Sequence, residues 1–78
     1  MSEHLVKAYF LAIVKRGTEH EVAKKIQKVE DVKSVLVTYG LWDIIAYIET
    51  ENLVKLDKII TQLRKIPEVQ QTNTLIGI

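Results

Sequence analysis

Two strand-like runs separated by a very short connection constrain this fold more than any other feature of the sequence. KSVLVTY at residues 33–39 and DIIAYIET at residues 43–50 are rich in β-branched and aromatic residues, and only Gly40, Leu41 and Trp42 lie between them. A three-residue connection leaves no room for a crossover, so the two strands must be antiparallel neighbours. The centre of the chain is therefore predicted to be a β-hairpin.

In the sequence, one further strand and one helix precede this hairpin, and one helix and one strand follow it. Residues 5–14 are largely apolar at both alternating sets of positions, which favours a strand covered on both faces. The Thr18-x-x-Glu21 spacing predicts a capping box at the start of the first helix. Asn52 can cap a second helix, which Pro67 ends. The second helix is predicted to bury an apolar stripe made of Leu53, Leu56, Ile59, Ile60, Leu63 and Ile66.

With a final strand at residues 69–78, the predicted order of elements is βαββαβ. A weak internal repeat supports this order, because KVEDVKSVLVTYG at 28–40 resembles KIPEVQQTNTLIG at 65–77. Right-handed crossovers place both helices of such a chain on one face of a four-stranded antiparallel sheet. The predicted fold class is therefore α+β, ferredoxin-like. The opposite face of the sheet would be bare and apolar, which predicts at least a dimer.

Length and charge exclude several classes of function. The 78 residues fill one small domain, 1–78, and contain no cysteine, so self-association is the remaining way to bury more apolar surface. A net charge of +1, with Lys and Glu intermixed, provides no basic stripe for nucleic acid. The apolar run at 5–14 is too short to span a bilayer, and no basic segment precedes it. We expect a cytoplasmic protein without a membrane partner.

The sequence carries no motif that is typical of an enzyme or a metal protein. His4 lies in the N-terminal tail and His20 in the first helix, and neither has a metal-ligand spacing. Neither a Gly-x-Ser-x-Gly elbow nor a glycine-rich phosphate loop occurs. We therefore expect no catalysis, no metal and no cofactor.

The unusual residues lie at the hairpin turn and in the last strand. Asp43, at the mouth of the hairpin, could bind a ligand or simply accept local backbone hydrogen bonds. Trp42 could form the wall of a ligand site, the edge of the core or part of a subunit interface. Gly40 predicts a positive φ at the turn and would also let a ligand approach the backbone. Thr72 and Thr74 share one face, where their hydroxyls could pair across strands or meet a small ligand.

These residues resemble the effector-binding domain of Lrp/AsnC transcriptional regulators, which is called the RAM domain. VTYGLWDII at 37–45 is similar to that family's Val-Thr-Gly-x-x-Asp pattern, except that a tyrosine follows the threonine. KIPEV at 65–69 and TNT at 72–74 are similar to the end of its second helix and to its Thr-x-Thr last strand. The resemblance covers essentially the whole chain and implies the same βαββαβ fold.

The resemblance also implies a function. Family members dimerise sheet to sheet as an α/β barrel-like assembly, commonly form octamers, and bind a free amino acid where dimers meet. Asp43 would orient the loop or hold the ligand's ammonium group. We accordingly expect a stand-alone module, lacking the helix-turn-helix, that senses an amino acid and modulates full-length regulators without binding DNA. The ligand-binding residues implied by the resemblance are Tyr39, Gly40, Leu41, Trp42, Asp43, Thr72 and Thr74.

Two other interpretations stay open at this point. Small monooxygenases and isomerases share the fold, although neither histidine falls on a predicted strand. A ligand-free module that only joins subunits also fits, and only the hairpin residues argue against it. Leu41 and Trp42 favour an apolar or aromatic effector side chain, whereas the sequence of one chain does not select the amino acid.

Overall fold

A computed structural model of the protein describes residues 5–78. Within this range the elements follow the predicted order βαββαβ, and the predicted α+β, ferredoxin-like fold is confirmed. The tail position predicted for His4 lies outside the described residues. The elements are β1 (Val6–Val14), α1 (Glu19–Gln27), β2 (Val32–Val37), β3 (Ile44–Thr50), α2 (Leu53–Arg64) and β4 (Val69–Ile76).

The strands form one antiparallel sheet in the order β2-β3-β1-β4. β1 therefore lies inside the sheet between β3 and β4, and β2 and β4 are its edges. The register places Phe10 opposite Ala46 of β3 and Thr74 of β4. Ala12 likewise lies opposite Thr72. The first strand thus joins the hairpin of the middle of the chain to the last strand.

Both helices pack on the same face of the sheet, which we call the covered face. Helical spacing explains which residues are buried, since Val22 and Ile26 lie one turn apart on α1. Neither helix within residues 5–78 is long and apolar enough to cross a membrane. The buried apolar side chains of the covered face are Ala8, Phe10, Ala12, Val14, Val22, Ile26, Val32, Ile44, Ala46, Ile48, Leu56, Ile59 and Leu63.

The other side of the sheet, which we call the open face, is also apolar but has no helix over it. Tyr9 and Leu36 keep 49% and 64% of their surface exposed. The ring centroids of Tyr9 and Tyr47 are 5.1 Å apart, so the two side chains pack across neighbouring strands. By register and alternation, the apolar residues of this open face are Tyr9, Leu11, Ile13, Leu36, Ile45, Tyr47 and Leu75.

Three local predictions were wrong. The hairpin connection is not three residues long, because β2 ends at Val37 and β3 begins at Ile44, which leaves residues 38–43 as the loop. The capping box does not form, since Thr18 has φ −106° and ψ 6° rather than the extended backbone of a side-chain cap. Leu53 is 60% exposed because it lies in the first turn of α2, at the margin of the buried stripe.

Candidate functional site

The hairpin loop, residues 38–43, is closed by hydrogen bonds between its two ends. The backbone N–H of Thr38 donates to the carbonyl of Asp43 at 2.8 Å, and the Thr38 hydroxyl donates to the carbonyl of Trp42 at 2.6 Å. Gly40 has the predicted positive φ, +131°, and no atom lies within 4 Å of the position a Cβ would take. Glycine is therefore required at this turn by the backbone and not by lack of space.

Large side chains project from the tip of this loop. Tyr39 is 103% and Leu41 87% exposed, whereas Trp42 is half-buried. Exposed side chains of this size have no packing role within the domain described. They form instead a small apolar surface next to the loop backbone, of the kind that marks contact sites.

Asp43 ties the loop to the end of β1. Its backbone N–H donates to the carbonyl of Ala12 at 2.9 Å, and its Oδ2 accepts a hydrogen bond from the backbone N–H of Val14 at 2.9 Å. Within residues 5–78, its second oxygen, Oδ1, makes no hydrogen bond. The carboxylate is therefore held in a fixed orientation with one oxygen available to a ligand.

A second ordered turn lies beside Asp43, between β1 and α1. The backbone N–H and the hydroxyl of Thr18 both donate to the carbonyl of Lys15, at 3.1 and 2.6 Å. Gly17 has φ +91°, as the third position of a type II turn requires, and its N–H donates to Oε1 of Glu19 at 3.1 Å. The Thr18 side chain, which was expected to cap α1, thus stabilises this turn instead, and Arg16 occupies its second position.

Three shallow cavities form a row along this end of the sheet, and we call the row the end groove. The loop cavity, about 370 Å³, is lined by Glu19, His20, Val37, Thr38, Tyr39, Gly40 and Asp43. The turn cavity, about 360 Å³, is lined by Ile13, Val14, Arg16, Glu19, Asp43 and Gln70. The strand cavity, about 360 Å³, is lined by Arg64, Val69, Gln70, Gln71 and Thr72. Neighbouring cavities share residues, so the groove runs from the hairpin loop to β4.

The predicted ligand-binding residues occupy different parts of this groove. Tyr39, Gly40 and Asp43 meet in the loop cavity. Thr72 lines the strand cavity, two strands away from β3. Thr74 pairs with Phe10, further along β4, and lines none of the three cavities. The remaining two, Leu41 and Trp42, also lie outside the linings of these cavities.

Sequence reasoning missed the charged side chains that complete the groove. They come from the β1–α1 turn (Arg16), the first residue of α1 (Glu19) and the last residue of α2 (Arg64), all far from residues 38–43 in the chain. The positive φ at Gly17 follows Arg16 directly, so an Arg-Gly pair after the first strand was the available signal. A wider cleft of about 530 Å³ lies between α1 and β2, next to the loop cavity with which it shares His20 and Val37, and contains none of the predicted site residues.

Comparison with known families and structures gives a consistent result. The model of the family described as the Lrp/AsnC ligand binding domain matches residues 7–78. The HTH-type transcriptional regulator FL11 of Pyrococcus abyssi is 35% identical over 69 residues, which cover 88% of this chain and 46% of that protein. The chain therefore spans about half the length of the curated relatives it matches.

Two solved structures share the fold. The hypothetical protein PHS023 from Pyrococcus horikoshii is 42% identical with a TM-score of 0.89, over 94% of this chain and 89% of that one. The transcriptional regulator NMB0573 of Neisseria meningitidis, solved as a complex with L-Met, is 14% identical with a TM-score of 0.81, over 94% of this chain and 49% of that one. At that identity the second structure shows only that the fold is the same.

Proposed function

The chain belongs to the Lrp/AsnC ligand binding domain family of transcriptional regulators, and on this premise we propose that it binds a free amino acid in the end groove. The observation that carries the proposal is the Asp43 carboxylate, fixed by Val14 and open at one oxygen. A fixed anion beside exposed backbone of a glycine turn suits the ammonium group of such a ligand. Tyr39, Gly40 and Thr72 would line the site together with Asp43, whereas Leu41, Trp42 and Thr74 lie outside the cavity linings.

The relatives support an effector role. Those with curated names are HTH-type transcriptional regulators, and a protein of the same fold was crystallised with L-Met. A zwitterionic ligand also fits the mixed charges of the groove, which include Glu19, Asp43, Arg16 and Arg64. Regulation would act on an Lrp/AsnC-type regulator in the cytoplasm, and this domain would not contact DNA itself.

Assembly is the second part of the proposal. The apolar open face supports a dimer in which two sheets pack face to face, because an uncovered sheet face of this composition is unusual in a monomer. The end groove is shallow, so a second dimer placed against the exposed Tyr39 and Leu41 would enclose the ligand. Repetition of that contact would lead to a ring, such as an octamer, and full-length regulators could join the same ring.

A ligand-free module that only joins subunits is the alternative, and the apolar open face favours it equally. The two functions differ in one respect. An effector that binds at the junction of dimers stabilises both the fold and the larger assembly by mass action, whereas a pure joining module responds to no small molecule.

A thermal-shift screen of the protein against the twenty amino acids, followed by light scattering, tests the proposal. One amino acid or a few related ones should raise the unfolding midpoint and increase the particle mass. Asp43→Asn should lose the response, because the amide keeps the shape of the side chain but not its charge. Asp57→Asn, on the exposed side of α2, is the matched control and should respond as the wild type does. A flat response of the wild type to all twenty would leave the joining module as the function.

A further inference from the structure

We infer that Arg16 binds the α-carboxylate of the amino acid whose ammonium group Asp43 holds, an assignment that rests on the function proposed above. An α-amino acid in solution carries one positive and one negative group, and a site that offers an opposite charge to each would suit it well. The turn cavity does so, with Arg16 and Asp43 in its lining. Its volume of about 360 Å³ also lies within the range of about 300–1,000 Å³ typical of small-molecule sites.

The neighbouring cavities each present only one sign of charge from Asp, Glu, Lys and Arg. The loop cavity contains Glu19 and Asp43 but neither lysine nor arginine. The strand cavity contains Arg64 but no carboxylate. The turn cavity, in the middle of the groove, is therefore the one that offers a zwitterion both a cation and an anion. The cation that would bind the ligand's carboxylate comes from the β1–α1 turn and not from the hairpin.

The backbone that carries Arg16 is ordered on both sides. Lys15 donates its N–H to the carbonyl of Glu68 at 2.9 Å and accepts two hydrogen bonds from Thr18, while Gly17 donates to Glu19. The ordered backbone fixes the point from which the Arg16 side chain extends, and the planar fork of its guanidinium group matches both oxygens of a carboxylate. Arg16 is exposed and makes no ion pair within 4 Å among residues 5–78, so its donors are available.

The two carboxylates of the turn cavity are engaged differently. Glu19 accepts the N–H of Gly17 through Oε1, and Asp43 accepts the N–H of Val14 through Oδ2. Asp43 is also fixed by its own backbone N–H, which bonds to Ala12. Of the two, Asp43 is the more rigid acceptor for an ammonium group. Arg16 and Asp43 then select ligands with a free α-carboxylate and a free α-ammonium group, whatever the side chain.

The test compares amino acids with their α-carboxamides. Wild type, Arg16→Gln, Arg16→Lys, Arg64→Gln and Lys58→Gln are titrated calorimetrically with each L-amino acid that shifts the wild type, and with its L-amino acid amide. Wild type should prefer the acid to the amide. Arg16→Gln should bind the acid about 10- to 100-fold more weakly, the usual effect of losing a charged hydrogen bond, and should bind acid and amide alike. Arg16→Lys keeps the charge and should restore part of the preference.

The other variants show which interpretation fails. Lys58→Gln removes a cation of α2 outside the end groove and should bind as the wild type does. All variants should keep the wild-type unfolding midpoint without ligand, because the substituted side chains are exposed. Unchanged acid preference in Arg16→Gln would overturn the assignment, and loss of that preference in Arg64→Gln alone would move the carboxylate to the strand cavity. If wild type responds to none of the twenty amino acids, the proposed function fails and the assignment fails with it.

Discussion

The covered and open faces of the sheet use the same strands but differ in what holds their side chains. On the covered face Phe10 is fully buried in the core, while its neighbour Tyr9, on the open face, is about half exposed. Both faces of β1 are apolar. No helix covers the open face, so its apolar residues are the ones that a second chain would cover in the proposed dimer.

The largest expected effect is on the covered face. Phe10→Ala should lower the free energy of unfolding by about 3–5 kcal/mol, because it removes a fully buried ring and leaves a cavity. Urea denaturation measures it. Tyr9→Ala is the matched control on the open face and should cost much less when the protein is dilute enough to be monomeric. Equal losses of unfolding free energy in the two variants at that dilution would mean that the two faces contribute alike to the stability of the monomer.

A smaller effect on the fold but a clear effect on assembly is expected from Leu11→Lys, at the middle of the open face. An unpaired charge buried in an apolar interface costs several kcal/mol, so the dissociation constant of the proposed dimer should rise at least about a hundredfold. Sedimentation should show half the mass of the wild-type dimer, with unchanged circular dichroism. Leu11→Met should remain dimeric. A dimer that persists in Leu11→Lys would mean that the open face is not the interface.

The smallest effect concerns the exposed rim of the covered face. Hydrogen bonding to its own backbone and to Lys25, 3.3 Å away, holds the pKa of Glu68 below its usual range. A lowered pKa in the folded state stabilises the protein above the unfolded-state value, about 4.3, and this contribution is lost as the pH falls through the folded value. The unfolding midpoint of the wild type should therefore be slightly higher than that of Glu68→Gln at neutral pH. This difference should vanish at acid pH. A difference that stays constant with pH would mean that the lowered pKa of Glu68 does not contribute to stability.

The order of elements and the core could be predicted because local patterns encode them. The largely apolar, β-branched and aromatic run at residues 5–14 marks β1, and Asn52 caps α2 as expected, with its side chain accepting the N–H of Lys55 at 2.8 Å. The length of the hairpin loop could not be predicted, since the hydroxyl of Thr38 bonds to Trp42 and ends the regular pairing early. A hydrogen bond from a side-chain hydroxyl to nearby backbone competes with the hydrogen bonds between strands. Strand propensity alone does not predict which of the two forms.

The sequence pointed to the hairpin part of the candidate site and to Thr72, but not to the β1–α1 turn. Gly40 and Asp43 could be identified because the sequence places a glycine and an acid at one turn. Their surroundings could not, since the bond between Asp43 and Val14 joins residues 29 positions apart and only the packed sheet brings them together. Arg16 reaches the groove for the same reason. The shared face of Thr72 and Thr74 follows from alternation, but the sequence does not show that only Thr72 reaches a cavity.

The two hydrogen bonds that fix Asp43 to β1 would also connect the proposed ligand binding to the proposed assembly. They reach Ala12 and Val14, and Ile13 between them belongs to the open face and lines the turn cavity. A ligand bound to the Asp43 carboxylate would therefore affect residues 12–14, the same segment that a partner subunit on the open face would contact. Any coupling free energy carried by this segment is reciprocal, so an effector that tightens the dimer is bound more tightly by the dimer, by the same factor.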